Sequence, residues 1–194
     1  MKKTKLYAIN KNTETYAFNS FCENTHQLIE NALKACNLKN KKPLIACIGS
    51  DLVLGDSLGP LVGTMLTKKN VSAYVYGTLS SPITAKEIAC AKSQLTALHP
   101  NSFIIAIDAA VGNIDDIGLI KVSDKGLKPG LGVDKNLGII GDCSIIGVVA
   151  GKSLQNYNLF NLTRLNLIYK MAETIANGVE RFLSDYENKN KITA

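Results

Sequence analysis

Residues 43–60 read PLIACIGSDLVLGDSLGP, and this stretch decides the fold. It begins with the apolar run 44–48, which lies between a proline and a glycine and is typical of a strand covered on both faces. A glycine-rich loop follows, and a helix is predicted from Leu58, because Pro60 is tolerated only in the first turn of a helix. A buried strand that leads through such a loop into a helix indicates a parallel α/β sheet.

The same alternation continues through the rest of the chain. Apolar residues at three- and four-residue spacing predict amphipathic helices, and short apolar runs predict strands. The predicted helices are 20–38, 58–69, 84–98 and 160–186, and the predicted strands are 44–48, 71–77, 102–108, 117–123 and 144–150. This order predicts a single domain over residues 1–194, folded as a three-layer α/β/α sandwich with a mostly parallel sheet of about five strands.

Composition and charge restrict the class of protein further. Hydrophobic residues make up 46% of the chain and charged residues 20%, which favours neither disorder nor a membrane span. The apolar stretch after the basic amino terminus is too short for a signal peptide, and the 5 cysteines form no C-x-x-C pair, so we expect a cytosolic protein with reduced thiols. The net charge of +6 comes from dispersed lysines, so neither a nucleic-acid nor a membrane partner is expected, and a homo-oligomer stays open.

Two aspartates follow or end predicted strands, where function gathers in such sheets. Asp56 lies at the entrance of the helix predicted from residue 58, and Asp108 ends the strand 102–108 as a single acidic residue in an apolar stretch. Each has a structural alternative: Asp56 as an N-cap of the helix, and Asp108 as an acceptor for the N–H groups of neighbouring loops. Together, however, two carboxylates at one edge of a sheet are what general acid–base hydrolysis needs, and we predict both as catalytic residues.

The motifs around these aspartates resemble those of a known family. The pattern G-S-D-x-x-x-G-D-S-x-G-P at 49–60 is followed by I-D-A at 107–109, P-G-x-G-V at 129–133 and G-D-x-S-I at 141–145. In this order the motifs resemble the YyaC-type spore proteases, relatives of the germination protease that degrades small acid-soluble spore proteins. The resemblance covers roughly residues 43–150, and it implies a wider relationship to the fold of the hydrogenase-maturation proteases.

This resemblance implies a sporulation- or germination-related endopeptidase in the interior of the spore or forespore. Asp56 and Asp108 would hydrolyse a peptide or a small basic spore protein without a cofactor. The hydrogenase-maturation proteases add a metal-binding histidine, which neither His26 nor His99 matches, so no metal is expected. The substrate-binding residues expected from the matching segments are Gly49, Ser50, Asp51, Gly55, Ser57, Gly130, Gly132, Gly141 and Asp142.

The roles within this pair follow from the expected surroundings. The helix N-terminus is expected to keep Asp56 ionised as the base that activates water, and the apolar setting of Asp108 is expected to raise its pKa so that it donates a proton; the roles could be reversed. The glycine- and proline-rich stretch 124–143, which includes Asp134 and Lys135, is expected to form a lid or a substrate-contacting loop.

Two other functions stay open. Residues 55–58 spell GDSL, and 55–59 fit G-x-S-x-G, which would make Ser57 a nucleophile, although the D-x-x-H of the GDSL esterases is absent. The other alternative is a non-catalytic sporulation protein that binds a peptide or protein partner in the same cleft.

Overall fold

The computed structural model describes residues 15–36, 38, 41–129, 138–152 and 163–192, and a mixed sheet lies at its centre. The strands in these ranges are β1 (Thr15–Asn19), β2 (Lys42–Cys47), β3 (Tyr74–Tyr76), β4 (Ser102–Gly112), β5 (Leu119–Ser123) and β6 (Cys143–Gly151). The helices are α1 (Thr25–Ala35), α2 (Leu58–Lys68), α3 (Ile88–Leu98) and α4 (Leu165–Ile192), with short 3-10 turns at Leu54–Ser57 and Ile114–Asp116.

The sheet has the order β1-β5-β6-β4-β2-β3. Strands β3, β2, β4 and β6 are parallel neighbours, whereas β5 is antiparallel to both β6 and β1. The predicted α/β fold with a mostly parallel sheet is therefore confirmed. The predicted number of strands was one too low, because β1, TYAFN, is an edge strand of only 5 residues, too short to show a clear period.

Helices lie on both faces of the sheet, as the alternation of β4 shows. Ile105 and Ile107 belong to the main core, which α1, α2 and α4 complete, whereas Ile104 and Ala106 face the side on which α3 packs. Each fully buried Leu or Ile side chain in these layers contributes roughly 1.5–3 kcal/mol relative to an exposed one. The predicted three-layer arrangement follows from this division of the side chains.

Several predicted boundaries differ from the structure, as for α1, which spans Thr25–Ala35 and not 20–38, and two of the differences concern elements that line the site. Helix α3 begins at Ile88, not at Thr84; residues 85–87 form a turn before it, in which the Glu87 carboxylate accepts the Thr84 N–H at 3.1 Å. Strand β4 continues past Asp108 to Gly112, because β6 keeps pairing with it over these residues. Asp108 thus lies inside a strand and not at its end.

Helix α4 is the longest helix in the described part of the chain, with 28 residues, and it continues six residues past the predicted end at 186. Its apolar face packs against α1 and α2, and it buries Ile168, Met171, Ile175 and Val179 completely. Among the described residues, no helix combines the length and the hydrophobicity that crossing a bilayer would require.

Candidate active site

The loop between β2 and α2 is fixed by close approaches of backbone to backbone. Gly49 has a φ of +139°, and a Cβ atom there would lie 2.0 Å from the carbonyl oxygen of Asp56. A Cβ at Gly59 would lie 2.0 Å from the carbonyl oxygen of Ile48. The N–H of Ser50 donates to the Asp56 carbonyl at 3.2 Å, which closes the loop. Only glycine fits at these two contacts, so the sequence holds Asp56 close to the end of β2.

Asp56 lies in the 3-10 turn Leu54–Ser57 and not at the N-cap of α2. The N-cap position is occupied by Ser57, and neither the turn nor the helix has a side-chain capping bond. The N-cap interpretation of Asp56 is therefore wrong, because the turn inserts one residue between the aspartate and the helix. Its half-buried carboxylate is left to face the cleft described below.

Asp108 lies beside the end of β2, within β4. The N–H of Ile48 donates to the carbonyl of Ile107 at 2.7 Å, so β2 ends level with Asp108 and the loop to Asp56 begins there. One oxygen of the Asp108 carboxyl, Oδ1, accepts the N–H of Ala109 at 2.8 Å. Protein atoms surround this carboxyl, while part of the residue remains open to solvent.

A cleft of about 800 Å³ contains both aspartates. It lies on the face of the sheet that carries α3, and its apolar wall includes Ile48, Ile88, Leu127 and Ile146. The residues that line it are Thr15, Ile48, Gly49, Val53, Asp56, Ala85, Ile88, Asp108, Ala109, Ala110, Val111, Lys121, Ser123, Gly126, Leu127, Lys128, Ser144, Ile146 and Lys152. Of the predicted site residues that the structure describes, it brings together Gly49, Asp56 and Asp108.

Burial raises the pKa of both carboxyls. For Asp108, removal from water raises the pKa well above its ordinary value, and the nearby charge of Asp56 raises it further, against the opposing hydrogen bond from the Ala109 N–H. For Asp56, removal from water also raises the pKa, and the backbone N–H of Ser50 works in the opposite direction. The expected rise at Asp108 agrees with this direction. The pKa of Asp56 is raised and not held down, because the effect of its removal from water exceeds that of the hydrogen bond from the Ser50 N–H.

Four predicted substrate-binding residues of the β2–α2 loop are not part of the cleft lining. Gly55 and Ser57 are buried, and the Ser57 hydroxyl donates to the Leu54 carbonyl at 2.7 Å. Asp51 is exposed, and the Ser50 hydroxyl accepts the N–H of Leu52 at 3.2 Å. These residues shape the loop and do not line the cleft.

The predicted residues of the 124–143 stretch divide in two groups. Gly130 and Gly132 lie outside the described residues, as do Asp134 and Lys135. Gly141 and Asp142 precede β6 at its amino end, where Asp142 Oδ2 accepts the N–H of Ile104 at 2.8 Å. Ile104 lies four residues before Asp108 on β4, and neither Gly141 nor Asp142 lines the cleft.

The two histidines, which a serine hydrolase or a metal site would need, do not line the cleft. His99 contacts Tyr76, whose hydroxyl is 2.7 Å from its Nε2 atom, and His26 lies on α1 across the sheet. Ser57, the serine of the GDSL motif, therefore has no histidine beside it within the described ranges, and its hydroxyl is already bonded. Over the same ranges, no group of three or more His, Cys, Asp or Glu side chains is arranged to hold a metal ion.

Sequence reasoning missed the polar floor of the cleft. Thr15, Ser123 and Ser144 lie in register on β1, β5 and β6, and Lys121 lies two residues before Ser123 on β5. A signal was present, because the segment LIKVS alternates apolar and polar residues, which indicates a strand with one apolar face and one polar face. The missing information was which face of the sheet each strand presents to the cleft.

Comparison with solved structures supports the fold. A crystal structure of the [NiFe] hydrogenase maturation protease HycI from Thermococcus kodakarensis KOD1 matches with a TM-score of 0.52 at 18% identity, over 81% of this chain and 99% of HycI. The predicted similarity to the hydrogenase-maturation protease fold is therefore confirmed. At this identity the likeness concerns the fold alone.

Sequence comparison identifies the family. The uncharacterized protein YyaC of Bacillus subtilis (strain 168) is 41% identical over 140 residues, which are 71% of this chain and 68% of YyaC. The family model described as "Protein of unknown function (DUF1256)" matches residues 11–178. The predicted YyaC-type relationship is thus confirmed, and the chain belongs to the DUF1256 family.

Proposed function

We propose that this chain is a peptidase that hydrolyses peptide bonds with Asp56 and Asp108, without a metal, and that it acts in sporulation or germination. The observation that carries the proposal is the presence of both carboxyls in one cleft, where the charge of Asp56 raises the pKa of Asp108. Two interacting carboxyls share a proton, so one is ready to donate while the other accepts. A likeness to the fold of a maturation protease and the YyaC-type motifs agree with this chemistry.

In this mechanism Asp56 is the base and Asp108 is the acid, because the rise in pKa is larger at Asp108. Asp56 takes a proton from water while the water oxygen attacks the peptide carbonyl carbon, and Asp108 gives its proton to the carbonyl oxygen. When the tetrahedral intermediate collapses, that oxygen returns its proton to Asp108, and Asp56 passes its proton to the leaving nitrogen. The carbon–nitrogen bond breaks, and both aspartates end in their starting states.

The proposal predicts a bell-shaped dependence of cleavage on pH. At low pH, Asp56 becomes protonated and no longer accepts the proton of water. At high pH, Asp108 loses the proton that it must donate. Because burial raises the pKa of both groups, both limbs of the curve are expected at higher pH than for aspartates in water.

The test compares the protein with its Asp56→Asn and Asp108→Asn variants on a peptide library and on small basic spore proteins. Mass spectrometry of the products is expected to show cleavage by the unchanged protein and a loss of at least about 100-fold in rate for either variant. Asp185→Asn is the matched control, because it makes the same chemical change on α4, on the other face of the sheet.

Full activity in either asparagine variant would refute a two-carboxylate mechanism. Retention of a peptide without any cleavage would instead favour a non-catalytic sporulation protein that uses the same cleft to bind its partner. Circular dichroism of each variant establishes that a loss of activity does not come from unfolding.

A further inference from the structure

Strand β4 extends beyond the neighbouring strand that covers one of its edges. β2 pairs with β4 as far as Cys47 and Ile107, and the Ile48 N–H donates to the Ile107 carbonyl at 2.7 Å. β4 continues to Gly112, and on its other side β6 stays paired with it to that end. Among the described strands, the part of β4 after Ile107 therefore has a neighbour on one side only.

The alternation of the backbone identifies the groups that face this open edge. The Ile107 carbonyl faces β2, whereas the Gly112 carbonyl accepts a hydrogen bond at 2.7 Å from the residue that follows β6. Backbone groups of successive strand residues point to alternate sides, so those of Ala109 and Val111 face the open edge. Within the described ranges, the Ala109 carbonyl and both backbone groups of Val111 have no hydrogen-bond partner there.

The cleft runs along this open edge of β4. The side chains of Ala109 and Val111 belong to the main core, on the face of the sheet opposite the cleft. Both residues nevertheless line the cleft, together with Asp108 and Ala110. Successive side chains of a strand alternate between its two faces, so a cleft lined by four consecutive residues must follow the edge of the strand. The unpaired backbone groups of β4 are therefore accessible from the cleft.

The open edge has the hydrogen-bonding pattern that a parallel strand requires. In a parallel pair, one residue donates its N–H to a carbonyl of the neighbouring strand and accepts, at its own carbonyl, the N–H two residues further along. The Ala109 carbonyl and the Val111 N–H form such a pair of groups. Asp108 Oδ1 already accepts the Ala109 N–H at 2.8 Å, so an antiparallel strand opposite Ala109 would lack the donor that it needs.

We propose that an extended peptide segment binds in the cleft as an added strand, parallel to β4, with one residue bonded to both the Ala109 carbonyl and the Val111 N–H. The proposal rests on the proposed function, because it defines the substrate class for the same cleft. A segment that binds in this way must have free backbone groups, so the substrate is a stretch of chain outside any helix or sheet. The Asp108 carboxyl, held at this edge by the Ala109 N–H, then lies beside the backbone of the bound segment.

The test measures binding separately from cleavage, on the Asp56→Asn protein. A mixture of short random peptides is screened, and fluorescence anisotropy then compares forms of the tightest-binding peptide that are methylated at one backbone nitrogen at a time. Methylation is expected to weaken binding at least about fivefold at one residue, or at two residues separated by one, because it removes a donor to β4. At the residues between and beside them, whose N–H groups point away from β4, it is expected to change binding little.

The protein side of the same contact is tested with Val111→Pro. Proline removes the N–H that faces the open edge and leaves the pairing with β6 intact, and proline is tolerated at such edge positions. Binding of the unmethylated peptide is expected to weaken at least about fivefold. Val111→Ala is the matched control, because it shortens the same side chain and keeps the N–H, and it is expected to bind the peptide like the unchanged protein.

The outcomes separate this proposal from the hydrolase. The absence of any peptide that binds, an effect of methylation that is equal at all positions, or a folded Val111→Pro that binds like Val111→Ala would overturn the proposal. If circular dichroism shows that Val111→Pro does not fold, the methylation series alone decides. A dependence on alternate positions without cleavage by the unchanged protein would support the added strand and refute the hydrolase. Cleavage at rates that do not depend on methylation away from the cleaved bond would do the reverse.

Discussion

Replacing Asp108 by asparagine is expected to stabilise the protein at neutral pH while it abolishes cleavage. Burial of the carboxyl and the neighbouring charge of Asp56 make the ionised form of Asp108 unfavourable in the folded state. Asparagine has nearly the same shape but no charge, and its amide oxygen can still accept the N–H of Ala109, which lies 2.8 Å from Oδ1. The variant therefore removes a cost of folding that the proposed chemistry requires.

The size of this effect follows from linkage. Each unit by which folding raises the pKa costs about 1.4 kcal/mol of stability at any pH above the folded value. Asp108 is partly open to solvent, so we expect the variant to gain about 1–2 kcal/mol at neutral pH, a rise in Tm of about 2–8 °C for a chain of this length. Below about pH 4 the carboxyl is protonated in both states and the gain disappears.

Urea unfolding of both proteins at pH 4 and pH 7, followed by circular dichroism, measures this difference. The variant is expected to be the more stable protein at pH 7 and to match the unchanged protein at pH 4. A variant that is less stable at pH 7, or a difference that does not change with pH, would refute the argument that folding makes the ionised form of Asp108 unfavourable.

Gly49→Ala is expected to lower the free energy of unfolding by several kcal/mol and to reduce cleavage, because its Cβ would meet the Asp56 carbonyl at 2.0 Å; urea unfolding and peptide cleavage measure the two effects. Glu30→Gln is expected to cost about 1–2 kcal/mol at pH 7 without changing cleavage, since the buried Glu30 pairs with Lys34 at 2.7 Å and with Arg181 at 2.6 Å. Hydrogen bonding to Lys34, more than that to Arg181, lowers the pKa of Glu30. The contribution of its charge is therefore present above about pH 4 and lost on further acidification, which urea unfolding across pH 2–7 measures.

Gly138→Ala is the control for Gly49→Ala. Gly138 has a φ of +74°, but among the described residues a Cβ there would meet only the end of the Lys92 side chain, at 3.5 Å. It therefore carries the conformational cost of about 1–2 kcal/mol without the clash. If both variants lose the same stability, the contact at Gly49 does not constrain the loop. For Glu30→Gln, a cost that stays constant down to pH 2 would contradict the ion-pair explanation.

The parts of the fold that depend on local sequence could be predicted. Three elements could be identified from their own residues: β2 from its apolar run, α2 from the proline in its first turn, and α1 from its amphipathic pattern. Burial and turn geometry restrict which residue types can occur at these positions. Strand β1 could not be predicted in this way. Its partner strand, β5, lies about a hundred residues away along the chain, and the sequence of β1 alone does not distinguish a strand from a loop.

The candidate site was predictable to the same extent. The meeting of Asp56 and Asp108 in one cleft was predicted from the rule that function gathers at the ends of parallel strands, but Asp108 lies within β4 and meets the loop of Asp56 because β2 ends level with it. The 3-10 turn places Asp56 one residue before the N-cap, and the local sequence does not distinguish this turn from a first helical turn. The positions of Lys121 and Lys152 depend on the antiparallel direction of β5 and on the length of β6, which no local pattern reveals.

The glycine contacts that fix the β2–α2 loop also distinguish the loop positions that tolerate substitution from those that do not. The route of the loop is set by Gly49 and Gly59, while Leu52 at its tip is 88% exposed and Asp51 beside it is also exposed. Residues at the tip can therefore be randomised in a combinatorial library with little penalty for folding. Directed evolution of such a library, with both glycines held constant, offers a way to select new ligand contacts at the exposed tip while the route of the loop stays intact.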